Sequence, residues 1–536
     1  MGVIVQLLRK YYYVLTGLLI FLSSPSYDHW ILKGFPFFAW VSMIPLFIFV
    51  RDKGYKEILF SSFIATFIGN YLSYRWIGSF GADVAGGYYI VLAFLIPSLT
   101  VFSVTKIIIA EYLSRSFENL RVIIYPSTWI SIDLIQSIGH LAFPWTYPGY
   151  SQYPFTSFIQ VSSFIGIMGI NFILILGNSI VADLIYTMNS KRLKPGGLLR
   201  TAQFIRLLIF LLVFSFVLIY GWYVLPLNQK TGEDELRIAI IQSCISPWEK
   251  WKTNRFRYLN DLERLTRLSL HEEPDIIIWS ESATLEHISY DYYNERLNPF
   301  EKRVLDIASS SNTPLLTGEI GIIEDILNKR HFPQNNAVLI DEYGTVVDTY
   351  PKIHLVPFGE WFPYEKWLPF IKELLVSFGG SSFIPGDKPV VFEVKDKKFG
   401  VLICYEGIFY RLCRRYNELG VDFLVNITND GWTDSYSGHM QHFSASIFRA
   451  IENGLWYVRA GNTGYTTLID PYGRVTKSIP ILHPGYIVGN INFALKRETF
   501  YSKHGDIFLY ICMGFIFLAS FIIFFRIIQS YLKDKS

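Results

Sequence analysis

Charge is scarce in this chain: of 536 residues only 17% are Asp, Glu, Lys or Arg, and the net charge is +3. A balance so small and so dispersed offers no basic face to a phosphate backbone, which excludes a nucleic-acid binder. Cysteine is scarcer still. The four present, Cys244, Cys404, Cys413 and Cys512, form no CxxC and no Cys/His ligand spacing, so neither a disulfide framework nor a zinc site is indicated. No metal and no organic cofactor is expected. What the chain lacks in charge it has in apolar residues, which make up 51% of it and give a mean hydropathy of +0.29. That is too apolar for a soluble protein and points to membrane spans.

The apolar residues are unevenly spread, and the spread predicts three parts: a transmembrane domain over 1–227, an extramembrane domain over 228–503, and a last transmembrane helix with a tail over 504–536. Candidate spans lie near 11–24, 35–50, 58–74, 88–110, 122–139, 158–187, 207–226 and 506–526. Arg9 and Lys10 before the first apolar run resemble the start of a signal peptide, but no small-residue cleavage site follows and further spans do, so it reads as a retained anchor. Eight spans put both termini on one side. Cations cluster on alternate sides of successive spans, at Arg9 and Lys10, at Arg51, Lys53 and Lys56, at Arg115 and Arg121, over 191–206, and at Arg526, Lys533 and Lys535. Basic loops stay in the cytoplasm, so 228–503 is expected outside it, in the periplasm of a cell with two membranes.

Within 228–503, short β-rich runs alternate with helical stretches. Strands are predicted at 236–242, 275–279, 315–317, 338–340, 390–394, 400–404, 422–428, 457–461, 466–469 and 487–491, and helices at 252–270, 295–310, 407–419 and 440–454. Continuous apolar runs such as DIIIW and DFLVNIT suit strands buried on both faces, and the alternation gives an α/β layered sandwich.

Three polar residues sit where such strands end. Glu281 closes PDIIIWSESA, Lys352 follows VVDTYP, and Cys404 closes FGVLICYEG. Strand ends are where α/β sheets build active sites, because rigid strands aim side chains into a shared crevice. The three form a chemical set: a thiol nucleophile, a carboxylate base to take its proton, and an ammonium to stabilise an oxyanion. Each has a plainer alternative, Cys404 as a small core residue, Glu281 as a helix-cap partner, Lys352 as a solvated strand-end cation, and Glu360 and Glu406 as surface carboxylates. Their coincidence in matching contexts favours the set.

The order WSES, YPKIHLVPFGE, CYEG resembles the nitrilase superfamily, whose Glu–Lys–Cys triad lies in an α-β-β-α sandwich. The multi-span flanks narrow the resemblance to the apolipoprotein N-acyltransferases of bacteria with two membranes. It extends through FPW at 143–145, GYSQ at 149–152, Gln242 and Trp251, HLVPFGE at 354–360, ICYE at 403–406, NDGW at 429–432, QH at 441–442, RAIE at 449–452 and RAGNTG at 459–464. NDGW stands where NDAW is more usual, and SGH at 437–439 precedes the QH pair.

The resemblance implies that Glu281 is the base, Lys352 the oxyanion stabiliser and Cys404 the nucleophile. It also implies supporting roles for Glu360, Tyr405, Glu406 and Trp251, and for His442 it leaves hydrogen bonding rather than catalysis. The implied reaction is ping-pong transfer of a fatty acyl group from a phospholipid, through a Cys404 thioester, to the N-terminal amine of diacylglyceryl-cysteine lipoproteins. The implied location is the bacterial inner membrane, with the catalytic domain periplasmic. Phe358, Trp361, Phe362, Trp367, Phe370 and Phe378 are expected to shield the acyl chain and meet the bilayer interface, or simply to pack. Two other readings compete, a membrane-tethered nitrilase-type amidase and a non-catalytic membrane scaffold. The complete triad argues against the scaffold. The number of spans argues against the amidase, for which one anchor would suffice.

Overall fold

The computed structural model describes residues 2–25, 34–79, 87–139, 141–145, 147–189, 198–225, 234–245, 251–325, 330–362, 373, 382–433 and 435–534. The chain divides into two compact units: Met1–Arg75, Ile90–Leu225 and His504–Ser536 form one, Trp76–Tyr89 and Pro226–Lys503 the other.

The first unit is helical. Each of the eight apolar runs contains helix, over Gly2–Ser23, Ile44–Val50, Tyr55–Tyr74, Gly87–Ser116, Arg121–Gln136, Ser162–Asn189, Leu198–Val224 and Ile507–Lys533. Among the described residues four stretches are long and apolar enough to cross a membrane unaided: Val91–Ser116, Ser162–Met188, Thr201–Val224 and Ile507–Lys533. These are the helices of a membrane protein. Tyr55–Tyr74 and Arg121–Gln136 are less apolar because they carry polar groups buried within the unit, Thr66 and Asn70 in one, Asp133 and Gln136 in the other. The buried charges are paired, since an unpaired charge among apolar helices costs at least about 2.5 kcal/mol. Lys106 pairs with Asp133, which also accepts from Asn171 Nδ2 at 3.1 Å; Glu111 accepts from Arg121 Nη1 at 2.5 Å and Tyr125 Oη at 2.7 Å. Gly17 lets two helices meet backbone to backbone: a Cβ there would lie 2.6 Å from the Ala65 carbonyl oxygen.

The second unit holds two six-stranded sheets. One has the order β12-β1-β2-β3-β4-β5, from β1 (Glu235–Gln242), β2 (Ile276–Ile278), β3 (Leu315–Asp325), β4 (Arg330–Ile340), β5 (Val346–Pro351) and β12 (Gly485–Asn492). The other runs β11-β10-β9-β8-β7-β6, from β6 (Val391–Val394), β7 (Lys397–Ile403), β8 (Phe423–Thr428), β9 (Trp456–Gly461), β10 (Thr466–Ile469) and β11 (Val475–Ile479). In each sheet the central strands β1-β2-β3 and β7-β8-β9 are parallel, and the flanking pairs are antiparallel.

The run DIIIW shows why the sheets stack. Ile276 and Ile278 join Ile238, Leu316, Val401 and Val425 between the sheets, while Ile277 and Trp279 point to the other face, against Leu259, Leu262, Phe300 and Val304 of the helices Trp251–Ser269 and Pro299–Ser311. Alternate side chains of one strand therefore serve two cores, which is why the run is apolar throughout. The helices Tyr410–Glu418 and Tyr436–Asn453 cover the other sheet. Gly400 of β7 takes the Tyr416 ring against its backbone, and Tyr416 Oη donates to Val401 O at 2.8 Å. The result is the expected α-β-β-α sandwich of the nitrilase type.

The elements differ from expectation where local chemistry intervenes. The helix expected at 295–310 begins at Pro299, because Asn298 caps it in a box with Glu301, its Oδ1 accepting from Glu301 N at 3.2 Å. The helix expected from 407 begins at Tyr410, because a 3-10 turn over Cys404–Ile408 intervenes.

Candidate active site

Cys404 leaves β7 with φ +51°, in the left-handed region, and begins that 3-10 turn. A non-glycine residue there costs about 1–2 kcal/mol, so the turn must be held by its surroundings. Glu406, fully buried, holds it. Its carboxylate accepts from Ile403 N at 2.7 Å on one side, and from Ile353 N (2.7 Å), His354 N (3.0 Å) and Tyr350 Oη (2.8 Å) on the other. One side chain thus ties the turn after β7 to the segment after β5, in the opposite sheet. Tyr405 packs edge-on against Phe409 at 5.2 Å, and His354 stacks flat on the same ring at 4.1 Å.

The segment after β5 carries Lys352, only 1% exposed despite its charge. Its ammonium donates to Glu360 Oε1 at 2.7 Å and to Glu281 Oε1 at 3.4 Å. Asn335 of β4 donates through Nδ2 to the same two oxygens, at 2.8 Å each, and so spaces the carboxylates around the cation. Glu281 Oε2 accepts from Asn429 N at 2.8 Å, and Glu360 Oε2 from Val356 N at 2.8 Å. Lys352 is therefore no solvated cation, and neither Glu360 nor Glu406 is a surface carboxylate.

Burial pushes the Glu281 carboxyl above its ordinary range, with Lys352 opposing and Glu360 adding to the rise. Burial alone would lower Lys352, but Glu360 and Glu281 outweigh it, and Cys404 contributes, so the ammonium stays protonated. Burial and then Glu281 push the Cys404 thiol well above its ordinary value, only partly offset by Lys352. Burial pushes Glu406 up to about 7, yet all four of its bonds come from donors, which makes the carboxylate the form the site holds. Cys413, fully buried in the helix Tyr410–Glu418, is pushed by burial up to about 12.

Of the neighbours of Cys404, His442 was expected to hydrogen-bond, while Asp430, Arg459 and Asn335 carried no role in the sequence. The NDGW, QH and RAGNTG motifs meet at Asp430, His442 and Arg459, and Asn335 had no signal at all, because its partners are far away in sequence. Burial would raise Asp430, but Arg459 and His442 hold it well below the usual carboxylate range; burial and Arg459 lower His442. Cys404, Asp430 and His442 bring one potential metal-ligand atom each within 4.8 Å of one another. However, Asp430 is already engaged by Arg459 Nη2 at 2.6 Å and Thr428 Oγ1 at 3.1 Å, which spends its charge on a fixed cation rather than on a metal ion.

Trp251 opens the helix Trp251–Ser269, and its side chain lies outside the described residues. Of the loop aromatics, Phe362 is buried at 2% exposure and packs, while Phe358 and Trp361 are half-buried beside Glu360; Trp367, Phe370 and Phe378 lie outside the described residues.

Residues 237–501 match the carbon-nitrogen hydrolase family model, a span that contains Glu281, Lys352 and Cys404, and residues 16–180 match the apolipoprotein N-acyltransferase N-terminal domain. The apolipoprotein N-acyltransferase of Rickettsia prowazekii is 30% identical over 436 residues, 80% of this chain and 82% of that protein. The chain belongs to the apolipoprotein N-acyltransferase family. Its relative of the same name in Geobacter metallireducens is 29% identical over 521 residues, 94% of this chain and 92% of the relative. Among solved structures, an amidase from Nesterenkonia sp. aligns at 18% identity with a TM-score of 0.37, covering 50% of this chain and 92% of the amidase.

Proposed function

We propose that the chain transfers a fatty acyl group from a phospholipid to the N-terminal amine of diacylglyceryl-cysteine lipoproteins, with Cys404 carrying the acyl group as a thioester. The observation that carries this reading is the buried Glu281–Lys352 pair, bonded at 3.4 Å and electrostatically linked to the Cys404 thiol. Cys404 Sγ attacks the ester carbonyl while its proton passes to Glu281. The oxyanion that forms is stabilised by the Lys352 ammonium, which Glu360 orients. Collapse breaks the ester C–O bond, Glu281 returns the proton to the departing alkoxide, and lysophospholipid leaves. The lipoprotein amine then attacks the thioester, gives a proton to Glu281, and breaks the C–S bond. The Cys404 thiolate takes that proton back.

Tyr405 and Glu406 serve this chemistry by holding the turn, Trp251 keeps the supporting role the resemblance implies, and we assign Phe358 and Trp361, half-buried beside Glu360, to the acyl path. Family membership and the apolar helices support a lipid setting. The alternation of basic loops supports the inner membrane as location, 228–503 as a periplasmic catalytic domain, and 1–227 and 504–536 as the membrane-embedded parts.

The test is the intact mass of the full chain in detergent after incubation with a phospholipid bearing a labelled acyl chain and no acceptor. One labelled acyl group on the peptide containing Cys404 is expected. Rapid release of labelled free fatty acid with no adduct would instead mark a hydrolase.

A further inference from the structure

The carbonyl of Cys404 is held as firmly as its turn. Its oxygen accepts from His442 Nε2 at 3.1 Å and from Asn426 Nδ2 at 3.3 Å. A ring nitrogen meets a carbonyl oxygen only as a donor, so His442 carries a proton on Nε2. Asn426 Nδ2 also donates to Leu402 O at 3.1 Å, and its Oδ1 accepts from Arg459 Nη1 at 2.7 Å, which fixes the amide's orientation. Arg459 Nη2 donates to Asp430 Oδ2 at 2.6 Å and lies 3.1 Å from His442 Nδ1, and Asp430 Oδ1 lies 2.8 Å from that same nitrogen, closing a ring that returns to Cys404. Gly464 belongs to the same construction, since a Cβ there would lie 1.9 Å from Asp430 Oδ2.

All four polar residues of the ring are nine-tenths or more buried. Burying an Arg–Asp pair with a histidine is a poor way to gain stability, because desolvation consumes most of the Coulombic gain and a well-packed apolar set does as well. The ring's geometric consequence is specific. It fixes the peptide on which the left-handed Cys404 turns, and hence the direction of Sγ.

We infer that His442, Asp430, Arg459 and Asn426 are positioning residues for the nucleophile, a hydrogen-bonded ring that clamps the Cys404 carbonyl and transfers no proton. The inference rests on Cys404 being the nucleophile. His442→Gln and His442→Asn separate it from other roles, because the two amides are alike but replace different ring nitrogens. The glutamine amide nitrogen reaches the place of Nε2 and can donate to the Cys404 carbonyl; that of asparagine reaches only the place of Nδ1.

The measurement is the single-turnover rate of Cys404 acylation from phospholipid by the full chain in detergent, across pH, with the melting temperature of each variant. His442→Gln is expected to stay within about 10-fold of the unaltered protein, and His442→Asn to fall about 100-fold or more. Both should keep the shape of the pH profile and the phospholipid concentration that half-saturates the rate. If both amides were equally inactive with one limb of the profile missing, His442 would be a proton carrier. If both matched the unaltered protein, or fell together in step with melting temperature, the ring would be packing alone. Absence of any adduct on Cys404 in the unaltered protein would instead overturn the functional reading beneath the inference.

Discussion

Among single side chains, the charge of the Glu281–Lys352–Glu360 cluster governs how the thiol can be used. Two carboxylates and one ammonium leave the site with one negative charge, and an isolated Cys404 thiolate would add a second. Burial and Glu281 both push the thiol upward, so in the proposed mechanism the proton leaves as the S–C bond forms rather than beforehand. Glu281 is then required in its ionised form. Because its pKa is raised, the acylation rate should fall, as pH decreases, at a pH above that of an ordinary carboxylate. Glu281→Gln should slow acylation by about 100-fold or more at neutral pH, and recover in part only as pH rises past 9 toward the elevated thiol value. Lys352→Met should lose about 100-fold or more and stay low, since ionising the thiol does not replace a missing charge at the oxyanion. Single-turnover acylation rates across pH measure both. Equal recovery of the two variants, or recovery of Lys352→Met alone, would refute these roles.

Between elements, Glu406 joins the two sheets at the site. Its oxygens accept from donors on both sides, three on Oε1 and one on Oε2, so an amide in either orientation points an N–H at a donor. Glu406→Gln is therefore not conservative. It should cost about 1–3 kcal/mol, seen as a lower melting temperature in detergent, and should slow acylation by loosening the Cys404 turn and the Lys352 segment together. A variant that melts with the unaltered protein would show that the carboxylate does not brace these elements. Glu406 also marks where reading the sequence reached its limit. Glu281 and Cys404 were visible because each follows a continuous apolar strand, and Lys352 because it stands in the YPKIHLVPFGE motif. Glu406, with partners Tyr350, Ile353 and His354 some fifty positions away, was singled out only by the family resemblance, since its own surroundings in the sequence do not separate it from a surface carboxylate. Strands β5 and β11 escaped for a related reason: both are sheet edges, so VVDTYP and VTKSI lack the continuous apolar signal of central strands. The left-handed φ of Cys404, and the ring that clamps its carbonyl, arise from tertiary contacts that no local pattern encodes.

Across the whole molecule, an apolar helical unit and an α-β-β-α unit lie in one chain, and the carbon-nitrogen hydrolase match covers residues 237–501 of it. That match alone is compatible with water as the acceptor, whereas the second match, over residues 16–180, and the full-length relatives favour an acceptor delivered from a membrane. The choice of acceptor is the central claim. The measurement that tests it most directly follows a labelled acyl chain from phospholipid into a synthetic diacylglyceryl-cysteine peptide, in detergent, with the unaltered protein and with Cys404→Ser. One labelled acyl group is predicted on the peptide's α-amine with the unaltered protein, and a rate at least about 100-fold lower with Cys404→Ser. Label appearing only as free fatty acid, or transfer by Cys404→Ser at the unaltered rate, would contradict the account.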